Sequence, residues 1–394
     1  MRLAILGTRG VPPNYGGFET FAAELSTRLA ARGHEVFVYC RGTRVAAHDV
    51  IPRASAGSPD AARSGDSAPR RGMTLPVAST PATWNGVHRI ELPAIGHKYL
   101  ETVSHAFLSA LDALRRDFDA VLVCNAANAF VLPLLRAARI PVAINVDGIE
   151  RRRRKWNLLG RAVYATGEAF SVSFADAVVA DAEVIASYYR EQYGAAPVVI
   201  PYGSEFPPEE DSDVLARLGV RPREYVLYVS RFEPENNPLE VVEAYAKLRD
   251  AVPLVMVGKG LYAHDLNAAL ARRANERVLF PGAIYGADYR TLQRNALVYI
   301  QATEVGGTHP ALIEAMASGG AVLAHDTPEN REAGGAAVGY FRLRPIETLS
   351  GMLQEWLSNA EVREPFRSLA RARAAERYSW GRVTDAYEQL LARL

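Results

Sequence analysis

The segment EVGGTHPALIEAMASGG at residues 304–320 carries the groups best suited to bind a charged ligand. It follows an apolar strand pattern, and Pro310 stands where the first residue of a helix is expected, with Thr308 or His309 as the cap. Backbone N–H groups at a helix start favour anions. We therefore predict that a diphosphate binds to the amides of this loop, namely those of Gly306, Gly307, Thr308 and His309.

Two charged side chains could complete such a site. Glu314 lies one turn into the same helix, where its carboxylate could accept two hydrogen bonds from the vicinal hydroxyls of a ribose. The alternative for Glu314 is a solvated carboxylate on an otherwise apolar helix. Arg231 follows the strand pattern YVLYVS, and an arginine at the carboxyl end of a strand can bind two phosphate oxygens with its forked guanidinium.

A second glycine-rich loop, GTRGVPPNYGGFET, occupies residues 7–20 between the first strand and the first helix. Ligands of doubly wound sheets bind at the carboxyl ends of the strands. Gly16 and Gly17 have no side chain to keep a phosphate or a sugar away from the backbone. The alternative is that these glycines only serve a tight turn.

The elements that must position these loops are short apolar runs alternating with amphipathic helical patterns. A length of 394 residues fits two α/β domains. The Pro- and Gly-containing segment at 198–210 suits a hinge, so we predict domains over 1–198 and 199–375. Residues 43–83 are predicted to be a mobile insertion, either a lid or a tolerated loop. The predicted strands are 2–6, 35–40, 87–92, 119–124, 141–146, 177–180, 197–200, 225–230, 253–257, 278–280, 297–301, 321–324 and 338–341.

Composition excludes several classes of protein. Lys and Arg number 45 against 44 Asp and Glu, which argues against a nucleic-acid partner. Cys40 and Cys124 lie in apolar runs, which indicates buried thiols and a reducing compartment. We find neither a signal-peptide pattern at the amino terminus nor an apolar run long enough to span a membrane, so we expect a soluble cytoplasmic protein.

Taken together, these residues resemble the retaining family-4 glycosyltransferases over essentially the whole chain apart from 43–83. Long strings are similar to those of the bacterial rhamnosyltransferase-like subgroup. They are GTRG-x-P-x-NYGGFET, KYLET near 98–102, CNAAN near 124–128, NVDG at 145–148, EPENN at 233–237 and EVGGTHPALIEAM.

The resemblance implies the GT-B fold, in which two Rossmann-like domains face each other across a cleft. The second domain would hold the donor and the first the acceptor, and a helix within 376–394 would cross back to the first domain. Residue by residue, the implied donor-binding set is Gly16, Gly17, Arg231, Asn236, Ile284, Gly306, Gly307, Thr308, His309 and Glu314.

The chain departs from the family pattern at two positions. Asn236 stands where a lysine is usual, and Gly306 where a glutamate contacts the donor sugar, with Glu304 two residues too early. We therefore expect the donor sugar to be held differently from the family pattern.

The reacting groups are expected at strand ends in the first domain. Asn125 stands where many relatives have a histidine, and Asp147 follows the next strand, so we assign catalytic roles to Asp147, Asn125 and Arg231. The predicted acceptor-binding residues are Glu19, Tyr99, His105 and Asn128, although His105 could instead be a packed or surface histidine.

The implied reaction is retaining transfer of a sugar, with rhamnose from dTDP-rhamnose favoured, to a glycan that would be lipid-linked, in cell-surface polysaccharide synthesis. No metal and no cofactor beyond the nucleotide sugar are expected. The alternatives are a mannosyl or glucosyl transferase using GDP or UDP donors, a sugar-nucleotide epimerase or hydrolase of the same fold, and a non-catalytic subunit that binds nucleotide sugars.

The sequence also contains a run of five basic residues, RRRRK from Arg151 to Lys155, followed by Trp156. Basic residues beside an aromatic side chain can attract anionic lipid headgroups, which would place the protein peripherally on the inner face of a membrane. The alternatives are a solvated helix face or contacts to an acidic acceptor.

Overall fold

The computed structural model describes residues 1–13, 16–45, 82–96, 100–153, 156–205, 208, 210–249, 252–260 and 263–394. The chain divides into two compact units, one of residues 1–124 and 131–142 and the other of residues 125–130 and 143–394. The domain boundary expected at 198/199 stays a prediction.

The first unit is built on strands in the order β3-β4-β2-β1-β5. The pairs of β1 with β2, β1 with β5 and β2 with β4 are parallel, and only β3 runs antiparallel to its neighbour. Its elements are β1 (Arg2–Leu6), α1 (Gly17–Ala31), β2 (Glu35–Val45), β3 (Ala82–Trp84), β4 (Val87–Ile95), α2 (Leu100–Ala113), β5 (Ala120–Cys124) and α3 (Leu132–Ala137).

Helix α1 shows why this part of the chain folds as expected. Apolar residues recur at helical spacing, and Phe21, Leu25 and Leu29 are fully buried on one face. Gly33, beyond the helix end, has a φ of 89°, a left-handed conformation that glycine adopts without strain.

The bounds predicted for the insertion, 43–83, are wrong at both ends. Residues 43–45 continue β2, and residues 82–83 belong to β3, a short strand that the sequence pattern did not reveal. The rest of the insertion lies outside the described residues.

The second unit begins with three parallel strands, β6 (Val142–Asn145), β7 (Ala177–Ala180) and β8 (Val198–Val199). Helices α4 (Leu158–Phe174) and α5 (Glu183–Tyr193) join them.

A six-stranded, all-parallel sheet follows in the order β11-β10-β9-β12-β13-β14. Alternate residues of β9 enter two cores on opposite faces of this sheet: Val226 and Tyr228 in one, Leu227 in the other. The strands are β9 (Val226–Val229), β10 (Leu254–Val257), β11 (Val278–Gly282), β12 (Val298–Gln301), β13 (Val322–His325) and β14 (Gly339–Phe341). The helices are α6 (Val214–Leu218), α7 (Pro238–Ala246), α8 (His264–Ala271), α9 (Gly286–Asn295), α10 (Pro310–Ala317), α11 (Pro328–Gly334), α12 (Glu347–Ser358), α13 (Ala360–Arg377) and α14 (Trp380–Leu391).

Parallel strands joined by helices thus recur along the described chain, which confirms the predicted class of two Rossmann-like α/β domains. No helix among the described residues is both long enough and apolar enough to cross a bilayer. Cys40 and Cys124 are buried free thiols, as predicted.

The last helix, α14, is bound to earlier parts of the second unit. The Tyr387 hydroxyl accepts a 2.7 Å hydrogen bond from Nδ2 of Asn145, at the end of β6. The Trp380 ring covers Gly203 so closely that a Cβ on this glycine would lie 2.2 Å from the ring. The chain therefore returns to β6 after completing the six-stranded sheet.

We expect Gly203→Ala to lower the free energy of unfolding by about 1–3 kcal/mol, because the added methyl group overpacks the Trp380 ring. The matched control is Gly351→Ala, at an open position within α12, which should raise it by about 0.5–1 kcal/mol through helix propensity. Urea unfolding measures both. Equal effects of the two substitutions would contradict the packing of Trp380.

Candidate functional site

The loop before α10 has the geometry that its sequence predicts. Pro310 is the first residue of α10, and His309 is the N-cap residue, without a capping hydrogen bond from its side chain. The backbone amides at this helix start therefore need partners from outside the helix.

A carboxylate supplies one of these partners. The Thr308 amide donates a 2.8 Å hydrogen bond to Oδ2 of Asp181, and the Thr308 hydroxyl donates to the Asp181 carbonyl at 2.5 Å. Asp181 directly follows β7 and is only 1% exposed. The Thr308 amide, predicted to bind phosphate, is thus occupied by a protein group in this structure, so the expectation of an open amide there is corrected.

The two glycines of this loop are needed for close contacts within the protein. A Cβ on Gly307 would lie 1.9 Å from Oδ1 of Asp181. A Cβ on Gly148, which follows Asp147, would lie 2.7 Å from the Cα atom of Gly306. A Cβ on Gly306 itself would lie 2.4 Å from Nε2 of His309. Glycine at 307 therefore admits Asp181, glycine at 306 admits the His309 ring, and glycine at 148 lets the loop after β6 approach Gly306.

Asp147 and Asp181 end neighbouring parallel strands at the same level. Asn145 of β6 pairs with Val179 of β7, so the two aspartates, each two residues further on, occupy equivalent positions. Neighbouring strands lie about 4.8 Å apart. Sequence reasoning found Asp147 but missed Asp181, although VVAD at the end of β7 follows the same pattern as INVD at the end of β6.

Two predicted catalytic residues have backbone conformations that are uncommon for residues other than glycine. Asn125 and Asp147 have φ angles of 74° and 59°. The Asn125 side-chain oxygen accepts a 2.8 Å hydrogen bond from the amide of Ala127, so this group stabilises its own turn. Strained residues at strand ends are common in functional sites, and both positions fit that observation.

The surroundings of both aspartates raise their pKa values. Burial and the nearby Glu150 carboxylate raise the pKa of Asp147 to about 6, against the opposing charges of Arg153 and Arg231. Burial, together with the charge of Asp147, raises the pKa of Asp181 well above its ordinary value.

Arg153 lies inside the protein beside these acids. It is 7% exposed and binds Glu150 at 2.5 Å and Glu235 at 3.3 Å. Burial opposes its charge, but the carboxylates of Glu150, Asp147 and Glu235 outweigh that effect and raise the pKa of Arg153. The expectation that the basic run forms one surface patch is therefore wrong for Arg153.

Arg151 also has internal partners. Its guanidinium lies 3.4 Å from the buried carboxylate of Glu168 and donates to the Tyr188 hydroxyl. Arg154 and Lys155 lie outside the described residues.

Arg231 remains exposed at the carboxyl end of β9. Its side chain is 42% exposed and lies 3.9 Å from Glu233. Asn236 is only 4% exposed, and its side-chain amide donates a 2.6 Å hydrogen bond to the carbonyl of Arg231. Asn236, predicted to bind donor, thus holds the Arg231 turn in this structure.

Glu314 is positioned by a tyrosine that sequence reasoning missed. The Tyr289 hydroxyl donates a 2.5 Å hydrogen bond to Oε2 of Glu314 and accepts one of 2.7 Å from Gln293. Burial and the Glu314 charge raise the pKa of Tyr289, which therefore remains a donor. Ile284 lies two residues before α9, the helix that carries Tyr289, and is partly buried.

His309 contributes no positive charge near neutral pH. Burial lowers its pKa to about 4, and its Nδ1 lies 2.9 Å from Oδ1 of Asn330. Its contribution to anion binding would therefore come from the backbone.

The predicted acceptor residues are mostly packed. His105 is 1% exposed, with burial lowering its pKa to about 4, which agrees with the packed alternative. Glu19 is 6% exposed and accepts a 3.1 Å hydrogen bond from the amide of Arg9, close to Gly16 and Gly17 at the start of α1. These two side chains and the fully buried Asn128 are therefore not accessible to an acceptor in this structure. Tyr99 lies outside the described residues.

The chain is similar to known glycosyltransferases. The family model for glycosyl transferases group 1 matches residues 217–373, and that for the glycosyl transferase 4-like domain matches residues 16–203. No match is found among curated proteins.

Solved structures share its fold over the full chain. Sucrose-phosphate synthase from Thermosynechococcus elongatus is 18% identical, with a TM-score of 0.76 and complete coverage of both chains. HepE from Anabaena in complex with UDP-glucose is 15% identical, with a TM-score of 0.74 and coverage of 100% of this chain and 99% of HepE. The UDP-forming α,α-trehalose-phosphate synthase from Burkholderia vietnamiensis is 12% identical, with a TM-score of 0.68 and complete coverage of both chains. The GT-B fold is thereby confirmed.

The raised pKa of Asp147 predicts a pH-dependent stability. Because the native pKa of about 6 lies above the ordinary 3.8, the folded state holds this proton more tightly. The free energy of unfolding should therefore fall as pH rises from about 4 to above 6, by up to about 3 kcal/mol for this group. Asp147→Asn should remove this decrease in the free energy of unfolding, so the variant should be more stable than the wild type at pH 8. Urea unfolding at pH 5 and pH 8 measures the difference.

The control is Asp211→Asn, at an exposed carboxylate. It should leave the pH dependence as in the wild type. The same dependence in Asp147→Asn would contradict the burial of this charge.

Proposed function

We propose that this chain, a group 1 glycosyltransferase with a family-4-like domain and the GT-B fold, moves a sugar from a nucleoside diphosphate to a glycan hydroxyl with retention of configuration. The observation that carries the proposal is the pair formed by Glu314 and Tyr289 one turn above a helix start, with Arg231 exposed at the end of β9. A carboxylate, amides and a guanidinium match the ribose and phosphates of a nucleotide.

The Tyr289 hydrogen bond supports the ribose role of Glu314. By fixing Oε2, it limits the orientations of the carboxylate and reduces the ordering that ribose binding would require. A ribose with two vicinal hydroxyls can donate to both carboxylate oxygens. The base would then lie near Ile284.

The phosphates would bind to Arg231 and to the amides of Gly306, Gly307 and His309, and to the Thr308 amide once the Asp181 carboxylate leaves it. Departure of the nucleotide builds negative charge on the leaving phosphate, and donors arranged in advance stabilise it. Asn236 would support this step by holding the carbonyl of Arg231. The charge is balanced by protein groups, so the proposal includes no metal and no further cofactor.

At the reacting sugar we propose Asp147, together with Asn125. A carboxylate beside the anomeric carbon would stabilise the positive charge that develops as the bond to phosphate breaks. The acceptor hydroxyl would lose its proton to the leaving phosphate oxygen, so no protein base is required.

For the donor we propose dTDP-rhamnose, and for the acceptor a lipid-linked glycan of cell-surface polysaccharide synthesis. The support is the set of sequence strings shared with the rhamnosyltransferase-like subgroup. A UDP-sugar is the second candidate donor, because HepE, a structural neighbour, binds UDP-glucose.

A peripheral membrane contact at the inner face of the membrane fits that acceptor. With Arg151 and Arg153 bound internally, the support comes from Arg152, which is exposed, and from the start of α4, where Leu158 and Leu159 are 84% and 74% exposed. Exposed apolar side chains beside basic groups are typical of helices that lie on membranes.

The test of function is transfer by the purified protein from a panel of dTDP-, UDP- and GDP-sugars to a lipid-linked glycan. We expect product with dTDP-rhamnose, and about a 100- to 1000-fold loss of kcat in Arg231→Ala, because a charge-stabilising donor is removed. Arg221→Ala, at an arginine with an 81% exposed side chain, is the matched control and should retain full activity.

Product from a UDP- or GDP-sugar alone would replace the rhamnose assignment. Free sugar or an epimer formed without acceptor would favour the hydrolase or epimerase alternative. Unchanged kinetics of Arg231→Ala would refute the phosphate role of this arginine.

The membrane contact is tested by co-sedimentation with phosphatidylglycerol vesicles. The double substitution of Leu158 and Leu159 by Glu should reduce the bound fraction severalfold, because charged side chains do not enter the apolar layer. Leu369→Glu, at a 49% exposed leucine of α13, should have no effect. Equal binding by all three proteins would exclude this face of α4.

A further inference from the structure

The contact between Asp181 and Thr308 joins two elements that are far apart in the sequence. The carboxylate at the end of β7 occupies the amide that precedes α10, and a second hydrogen bond runs from the Thr308 hydroxyl to the Asp181 carbonyl. We call the space at the Gly307 and Thr308 amides that Asp181 fills the anion seat.

This contact satisfies only half of the carboxylate. Oδ1 of Asp181 is fully buried and has no hydrogen-bond partner among the described residues. A carboxylate has about four acceptor positions, and a buried acceptor without a partner is destabilising. If Asp181 served only to cap α10, a donor to Oδ1 would make the contact more stable. Without that donor the contact is weaker, and a competing anion can displace the carboxylate more easily.

The anion seat has room for only one anionic group. The carboxylate already fills the space of the missing Gly307 side chain, with both oxygens within 2.4 Å of the position a Cβ would take. A helix start attracts carboxylates and phosphates for the same reason, the exposed amides and the helix dipole. A phosphate that reaches the Thr308 amide must therefore expel the Asp181 carboxylate.

We propose that Asp181 is a resident anion of the donor site, which fills the anion seat while the site is empty and is displaced when a nucleoside diphosphate binds. This inference rests on the proposed function. The apparent affinity for the diphosphate is its intrinsic affinity multiplied by the fraction of molecules in which the anion seat is open. Asp181 thereby lowers the affinity for ligands that bring phosphate to this loop, whereas a bare nucleoside, which brings none, is unaffected.

The displacement would be transmitted to α5. Asp181 precedes the start of this helix by two residues, and Glu332 of α11 accepts hydrogen bonds of 2.6 and 2.9 Å from the amides of Glu183 and Val184. Glu332 is therefore a second carboxylate at a helix start, close enough to raise the pKa of Asp181, but bound to two amides. It offers a matched control for the removal of one negative charge.

The experiment is calorimetric titration of the full chain with dTDP, UDP, thymidine and uridine. Asp181→Asn keeps the shape of the side chain and removes its charge, so we expect nucleoside diphosphates to bind about tenfold more tightly, with nucleoside binding unchanged. Glu332→Gln should leave both affinities as in the wild type. Thr308→Val, which loses the hydrogen bond to the Asp181 carbonyl, should tighten diphosphate binding less.

The outcomes separate this inference from the proposed function. A wild-type protein that binds neither diphosphate refutes the proposed function and the inference with it. Diphosphate binding by the wild type that is weaker or unchanged in Asp181→Asn, or tightened equally by Glu332→Gln, overturns the displacement alone. Should Asp181→Asn not fold, Thr308→Val decides, and unchanged diphosphate affinity in that variant overturns the proposal.

Discussion

The hydrogen bond from the Thr308 amide to the Asp181 carboxylate is the interaction on which the arrangement of the site depends. It fixes the loop before α10 against the end of β7, and it explains why a side chain is excluded at Gly307. The His309 ring excludes a side chain at Gly306 in the same way. The glycine pair that looks like a phosphate-binding signature is therefore also a packing requirement, and the two roles coincide because both need an exposed backbone.

Charge is the second constraint on this region. Asp147 and Asp181 end adjacent strands, and Glu150 and Glu235 bind Arg153 beside them. Like charges at this spacing cannot all be ionised at low cost, so the aspartates hold protons to higher pH than isolated carboxyls. A donor bearing two phosphates adds more negative charge. Its binding is therefore favoured when an acid of this cluster is protonated or moves away.

The sequence was sufficient for the fold because the information lies in local patterns. Each predicted strand appears within a few residues of its place, and the missed β3 has only three residues and pairs antiparallel. Strand ends also located Asn125 and Asp147, since ligands gather there by topology. The hydrogen-bond partners of individual side chains could not be predicted. Asn236 is bound to a carbonyl five residues away, and Tyr289 reaches Glu314 from another helix, contacts that depend on tertiary packing.

The run from Arg151 to Lys155 shows the same limit in one short segment. A sequence of like charges suggests a single cationic surface, yet Arg153 is buried among carboxylates and Arg151 binds Glu168. A 3₁₀ turn at Glu150–Arg152 points successive side chains in different directions, so neighbours in sequence meet different surroundings. The Arg153 guanidinium enters the interior because carboxylates surround it there: Glu150 of the same turn, Asp147 just after β6 and Glu235 in the turn after β9. Only Glu235 among these is distant in the sequence, and its contribution could not be predicted from the run of basic residues.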